Sequence, residues 1–231
     1  IKSDPTIINI IKQNINGINK ISNERIFDEL KKILLLENIE KLFLEEELKK
    51  IILNIFPQFK CYERLKVINN LDQKTKDMYD NELILALLIV DETKDYEYFC
   101  HKYKASNNIK DRLKNIAINY ENIKSKKFFS EEKIKKSVYL LGKQSVIDLL
   151  LFSICVNKKL KAIDFENLLQ YVKICKIPKF PISGDFLKKS GYETGQKLGI
   201  KLKLLEERWI KNNFTIDEKE VKKSLTRTNQ N

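Results

Sequence analysis

Histidine is nearly missing from the 231 residues, with His101 the only one. A single imidazole excludes zinc fingers, His-rich metal sites, phosphohydrolases built on a His-Asp pair, a Ser-His-Asp triad built away from His101, and most acid/base schemes that need two imidazoles. It leaves His101 as a surface or interhelical residue. The four cysteines, Cys61, Cys100, Cys155 and Cys175, stand far apart with no C-x-x-C, so metal ligation is not expected and a reduced, cytoplasmic chain is. Only 6 glycines and 4 prolines interrupt the sequence, too little turn punctuation for a β-sandwich or barrel. Long apolar runs are lacking too. The stretches Ile84 to Val90 and Val146 to Val156 fall short of the roughly 20 residues that span a bilayer, so no membrane partner is expected. No signal-peptide pattern is present, and a start at Ile rather than Met suggests a fragment or truncated product.

What fills the chain is Leu, Ile, Lys and Glu, and a hydrophobic content of 42% is enough for a core. Asp4-Pro5 reads as a helix start, with Ile7, Ile8, Ile11 and Ile15 recurring at helical spacing until Gly17. A second helix from Ser22 carries Ile26, Leu30, Ile33 and Leu34 on one face. Helical periodicity runs through 39–44 and 45–55 to a break at Pro57. It resumes at 62–71, 81–90, 96–104, 106–123, from Ser130 to Gly142, and at 145–156, the last expected to be the most buried helix. No β-alternation and no internal repeat is evident, and the expected fold class is all-α, a multi-helical array. Pro178, Pro181 and Gly184 mark a linker near 173–184, and the final SLTRTNQN should fray.

The 44 basic and 32 acidic residues leave a formal net charge of +12, a field that attracts polyanions, nucleic acid first among them. All but five of the basic residues are lysine, which an AT-rich genome would also supply, so the charge has a compositional reading as well.

Residues 178–214 hold four of the six glycines. Gly184, Gly191 and Gly195 bracket a short helix, a turn and a longer helix. At about 100° per residue, Leu198, Leu202, Leu205 and Trp209 fall within about 60° of one another, a core stripe. Lys197, Lys201, Arg208 and Lys211 gather on a neighbouring face. A mid-helix glycine at 199 suggests close approach of another backbone. Free N–H groups at a helix N-terminus, with Lys188, Lys189 and Lys197 nearby, suit an RNA phosphate, although a Gly-turn hairpin with a solvated lysine face fits the same spacing.

This stretch resembles the C-terminal end of bacterial CCA-adding enzymes and poly(A) polymerases, the class II tRNA nucleotidyltransferase family. The likeness rests on a Pro-rich entry, glycines at 184, 191 and 195, and a long helix ending in Trp209 followed by Phe214. Where that family often has Asp two residues after the first Gly, this chain has Phe186, with Asp185 beside it. A second match is ISNERIFDELKKIL, residues 21–34, which is similar to the family's neck motif through Glu24, Arg25 and Glu29. Arg25 and Glu29 at i,i+4 can pair on one face, while Glu24 points elsewhere and can fasten an adjoining helix. A third, KYKASNNIKDRL at 102–113, matches through Ser106, Asn107 and Arg112.

The resemblance implies a neck-like RNA-binding segment at 1–56, a helical body at 57–176, a tail hairpin at 177–225 and a disordered end at 226–231. It implies tRNA or another RNA as partner, with Lys102, Lys104, Arg112, Lys188, Lys189, Lys197, Lys201 and Arg208 as candidate RNA contacts. Glu24, Arg25 and Glu29 would brace the helix that selects the incoming nucleotide. Nucleotide addition needs metal ions on paired carboxylates and a Gly-rich phosphate turn, and the sequence holds no Asp-x-Asp and no Gly-Gly or Gly-Ser turn. Asp95-Tyr96-Glu97 comes nearest, in a predicted helix. No catalytic residue and no metal ligand is therefore assigned. Mg²⁺ would belong to a catalytic head, truncated or encoded separately, and the chain alone is expected to be inactive. A stand-alone helical interaction protein or a degenerate remnant is the other reading.

Overall fold

The first helix begins as its sequence dictates: the Asp4 carboxylate accepts from the Thr6 N–H at 2.8 Å, with Pro5 in the first turn. The same device recurs. Ser22, Asp72, Asp80 and Ser106 each cap a helix by accepting a backbone N–H three residues on. The computed structural model describes residues 4–124, 130–157, 162–189 and 191–217. Among these lie α1 (Pro5–Asn14), α2 (Asn23–Ile33), α3 (Lys41–Leu44), α4 (Glu46–Ile55), α5 (Leu65–Ile68), α6 (Gln73–Lys76), α7 (Asn81–Ile89) and α8 (Asp95–Lys102). There follow α9 (Asn107–Ile118), α10 (Tyr120–Ile123), α11 (Glu131–Leu141), α12 (Lys143–Val156), α13 (Ala162–Ile174), α14 (Gly184–Lys189) and α15 (Gln196–Lys211). No strand occurs among the described residues, and the fold is all-α.

Helices α7 and α12 are apolar all round, and such helices must be enclosed by others. Leu83, Ala86, Leu87 and Leu88 of α7 and Leu149, Leu150 and Phe152 of α12 are fully buried. Helix α12 packs on α13, α11, α9, α7 and α5, so α7 shares the central place that the sequence assigns to residues 145–156 alone. Gly142, at φ 82°, joins α11 to α12 in a conformation that side-chain-bearing residues rarely adopt. One apolar cluster runs from Phe27 of α2 to Val172 of α13. It includes an aromatic group in which Phe99 stands 4.6 Å from Tyr103 and touches Phe27, Phe56 and Phe59. A second, small cluster of Ile182, Leu187 and Leu205, flanked by Phe180, Leu198 and Leu202, holds α14 against α15.

Several elements differ from the sequence expectation. Residues 62–71 form a 3₁₀ turn, Tyr62–Arg64, and the short α5, because Arg64 is drawn inward. Its guanidinium donates to the carbonyls of Leu87 at 3.2 Å and Val90 at 2.5 Å, satisfying the C-terminal end of α7, and to the Tyr120 hydroxyl at 2.9 Å. The helix expected over 106–123 breaks at Asn119, whose side-chain amide donates to the Asn115 carbonyl at 2.9 Å. Helices α6 and α13 add to the elements expected from the sequence. Of α1's expected apolar face only Ile8 is buried, while Ile7 and Ile11 are exposed. The close backbone approach expected at Gly199 is absent: a Cβ there would meet nothing within 4 Å. Residues 218–231, including SLTRTNQN, lie outside the described residues.

Candidate nucleic-acid interface

Helix α15 carries the stripe that its period predicts. Leu205 and Trp209 are 2% and 3% exposed, and Leu198 and Leu202 are half-buried. Trp209 sits in a ring cluster with Phe180, Tyr139 and Phe214 at centroid distances of 5.3, 5.4 and 4.9 Å. Tyr139, on α11, also donates its hydroxyl to the Glu206 carboxylate and so ties α15 to the body. Burial, reinforced by that carboxylate, pushes the Tyr139 phenol up to about 12.

On the neighbouring face Lys197 and Arg208 are exposed and Lys201 is half-buried, and none of the three has an acidic partner among the described residues. Helix α15 starts at Gly195, φ 148°, with no side chain bonded to its first N–H groups. Those donors and Lys197 therefore lie together at one end of a basic face. Before it, α14 is capped by the Ser183 hydroxyl, which accepts from the Phe186 N–H at 3.2 Å, so the cap comes from the residue before Gly184. Lys188 reaches the exposed Asp185 at 3.5 Å, and Lys189 is exposed.

The structure gives the other candidates different surroundings. Arg112 is 18% exposed in its side chain and donates to both oxygens of the buried Asp148, from Nε at 2.7 Å and Nη2 at 2.9 Å. Its Nη1 reaches Asp80 at 2.6 Å and Glu82 at 3.1 Å. Burial disfavours the guanidinium, but the hydrogen bonds it donates to Asp148 and Asp80 outweigh that and hold it charged. With its donors occupied by three carboxylates, Arg112 joins α9 to α12 and to the start of α7 and is withdrawn from any solvent-side anion. Lys104 pairs with Glu24, and Lys102 lies 5.1 Å from the centre of the Tyr103 ring.

The Glu24–Lys104 pair fastens the first turn of α2 to the segment after α8, the crosslink expected of Glu24. The hydrogen bond from Lys104 keeps the Glu24 carboxyl below the ordinary carboxylate value. The expected Arg25–Glu29 pair is not formed. Glu29 accepts from Lys32 at 2.8 Å, and Arg25 is exposed, its backbone N–H bonded to the Ser22 hydroxyl at 3.3 Å. The i,i+3 lysine outcompetes the arginine for the same carboxylate. His101 is exposed, Cys100, Cys155 and Cys175 are buried and free, and burial raises the Cys100 and Cys155 thiols to about 11. Among the described residues no group of acids, cysteines and histidine has metal-holding geometry, and no helix is long and apolar enough to cross a membrane.

Residues 3–62 match the family model described as "Probable RNA and SrmB-binding site of polymerase A". Over 229 residues the chain is 25% identical to the mitochondrial CCA tRNA nucleotidyltransferase 1 of Danio rerio, covering 97% of this chain and 51% of that protein. The chain is thus similar to the helical region of CCA-adding enzymes and, over residues 3–62, to an RNA-binding region of polymerase A. Its fold agrees: it superposes on a Thermotoga maritima CCA-adding enzyme complexed with tRNA with a TM-score of 0.55 at 18% identity, covering 99% of this chain and 57% of that one. A CCA-adding enzyme in complex with ATP gives a TM-score of 0.59 at 17% identity, over 100% of this chain and 57% of the other. The chain thus spans about half the length of the curated relative it matches.

Proposed function

We propose that this chain grips the backbone of tRNA, or of another structured RNA, and sets its 3′ end for nucleotide addition by a nucleotidyltransferase head. The observation that carries this reading is the match of residues 3–62 to an RNA-binding region, joined to a fold shared with an enzyme solved on tRNA. The basic face of α15 supports it chemically. Lys197, Lys201 and Arg208 have no acidic partner among the described residues, and the uncapped N-terminus of α15 adds backbone donors. Such a surface binds phosphate without reading sequence, which suits recognition of RNA by shape. Lys188 and Lys189 extend the basic surface onto α14. Arg112 acts instead as a largely buried brace, and Lys104 as half of an exposed crosslink to Glu24. Catalytic carboxylates and Mg²⁺ belong to the head, since the chain holds no Asp-x-Asp.

The test is charge reversal of Lys197, Lys201 and Arg208 together to Glu, read by tRNA titration at several salt concentrations. The expected outcome is weaker binding, with the log–log salt slope shallower by about two to three and the helical signal unchanged. Unaltered affinity would remove this face from the interface.

A further inference from the structure

The aromatic side chains of the described residues are buried or half-buried with one exception, Tyr98 of α8, which is 57% exposed. One turn further along α8 stands His101, the only histidine of the chain, and it too is exposed. At about 100° per residue, Tyr98, His101 and Lys102 fall within about 100° of one another, and Lys94, at the helix start, continues the same line. The other side of α8 is filled by Tyr96, Phe99 and Cys100, so the core is complete without Tyr98.

The charges around the two rings are sorted. Neither Lys94 nor Lys102 has an acidic partner among the described residues, and Lys102 lies 5.1 Å from the centre of the Tyr103 ring. The nearby acids are engaged elsewhere: Asp95 pairs with Lys60 at 2.5 Å, Glu97 accepts from the Tyr96 hydroxyl at 3.2 Å, and Glu24 pairs with Lys104. Two unpacked rings in solvent beside two free ammonium groups suit a single-stranded polynucleotide, whose bases stack on aromatic planes while its phosphates meet the cations. In a duplex the bases already stack on one another, so this chemistry selects unpaired nucleotides. Lys94 and Lys102 are eight residues apart, about 12 Å along the helix, which fits a short run of them. An acidic peptide would leave the rings unused, and a lipid surface calls for aliphatic side chains that this face lacks.

We infer that the exposed face of α8 holds an unpaired stretch of bound RNA, with Tyr98 and His101 as stacking planes for its bases and Lys94 and Lys102 on its phosphates. The inference rests on the reading of RNA as partner and adds a second surface with a different preference. The α15 face takes phosphate whatever the pairing, whereas the α8 face takes bases free of a duplex.

The test is fluorescence-anisotropy titration of the intact chain with a labelled short oligoadenylate and with a blunt-ended RNA duplex. Tyr98→Ala weakens the oligoadenylate about tenfold and leaves the duplex unchanged, while Tyr98→Phe keeps the native affinity because a phenyl ring also stacks. Lys94→Ala combined with Lys102→Ala weakens the oligoadenylate and makes its log–log salt slope shallower by about one to two. None of these side chains is buried, so the variants keep the native melting temperature. No binding of oligoadenylate, native affinity in Tyr98→Ala, an equal loss on the duplex, or tighter binding of anionic lipid vesicles than of oligoadenylate overturns the inference. The α15 charge reversal is read on tRNA and Tyr98→Ala on oligoadenylate, so a failure of one surface is told apart from a failure of the other.

Discussion

Arg112 holds Asp148, Asp80 and Glu82 at once, and Asp148 is 3% exposed. Arg112→Ala would strand that buried carboxylate, and the expected loss is about 3–5 kcal/mol by denaturant unfolding. An Arg112 acting only as an RNA contact would instead show near-normal stability. This assignment was not legible in the sequence, because Asp148 lies 36 residues away and nothing local reports the pairing. The Glu24 crosslink was legible as a direction, since Glu24 and Glu29 fall on different sides of α2, but its partner Lys104 is 80 residues distant. Trp209→Ala should cost about 3–5 kcal/mol, since the ring is enclosed by Phe180, Tyr139 and Phe214.

Helix α15 was readable in detail because one amphipathic period of four apolar side chains, closed by Trp209, allows few alternatives. Only Gly199 departs from that reading. The position is exposed, with open space where a Cβ would sit, so the glycine only weakens the helix. Gly199→Ala should therefore raise stability by about 0.5–1 kcal/mol, read as a higher melting temperature. Helix α13 carried a comparable signal, Phe165, Leu169 and Val172 at i, i+4 and i+7, and all three are buried. The break of residues 62–71 was beyond local reading, since it follows from Arg64 turning to the distant carbonyls of Leu87 and Val90. Amphipathicity likewise overstated α1. Periodicity marks which residues share a face but not whether another element covers it, and Ile7 stands 55% exposed.

At the scale of the molecule, the α14–α15 hairpin has its own small core and meets the body through Tyr139, Trp209 and Phe214. Tyr139 makes that junction sensitive to alkali. Its phenol is raised to about 12 in the fold, against about 10 in an unfolded chain, and only the neutral form donates to Glu206. The stabilisation is complete below about pH 10 and is lost as pH rises through about 12. Absorbance of the phenolate should show a late transition that Tyr139→Phe removes, while emission from Trp209, the one tryptophan of the chain, follows the same rise. The whole-chain likeness to CCA-adding enzymes was legible through the glycine spacing, Trp209 and the 21–34 segment, whereas the division of lysines between braces and free cations required coordinates.

The central claim, an RNA grip formed by an acid-free basic face on a helical scaffold, is tested most directly by titrating the intact chain with tRNA across salt concentrations, alongside the Lys197, Lys201 and Arg208 charge-reversal variant. The account predicts salt-sensitive binding by the native chain and a weaker, shallower dependence in the variant with its fold retained. Absence of tRNA binding by the native chain at low salt, or identical curves for the two proteins, would contradict it.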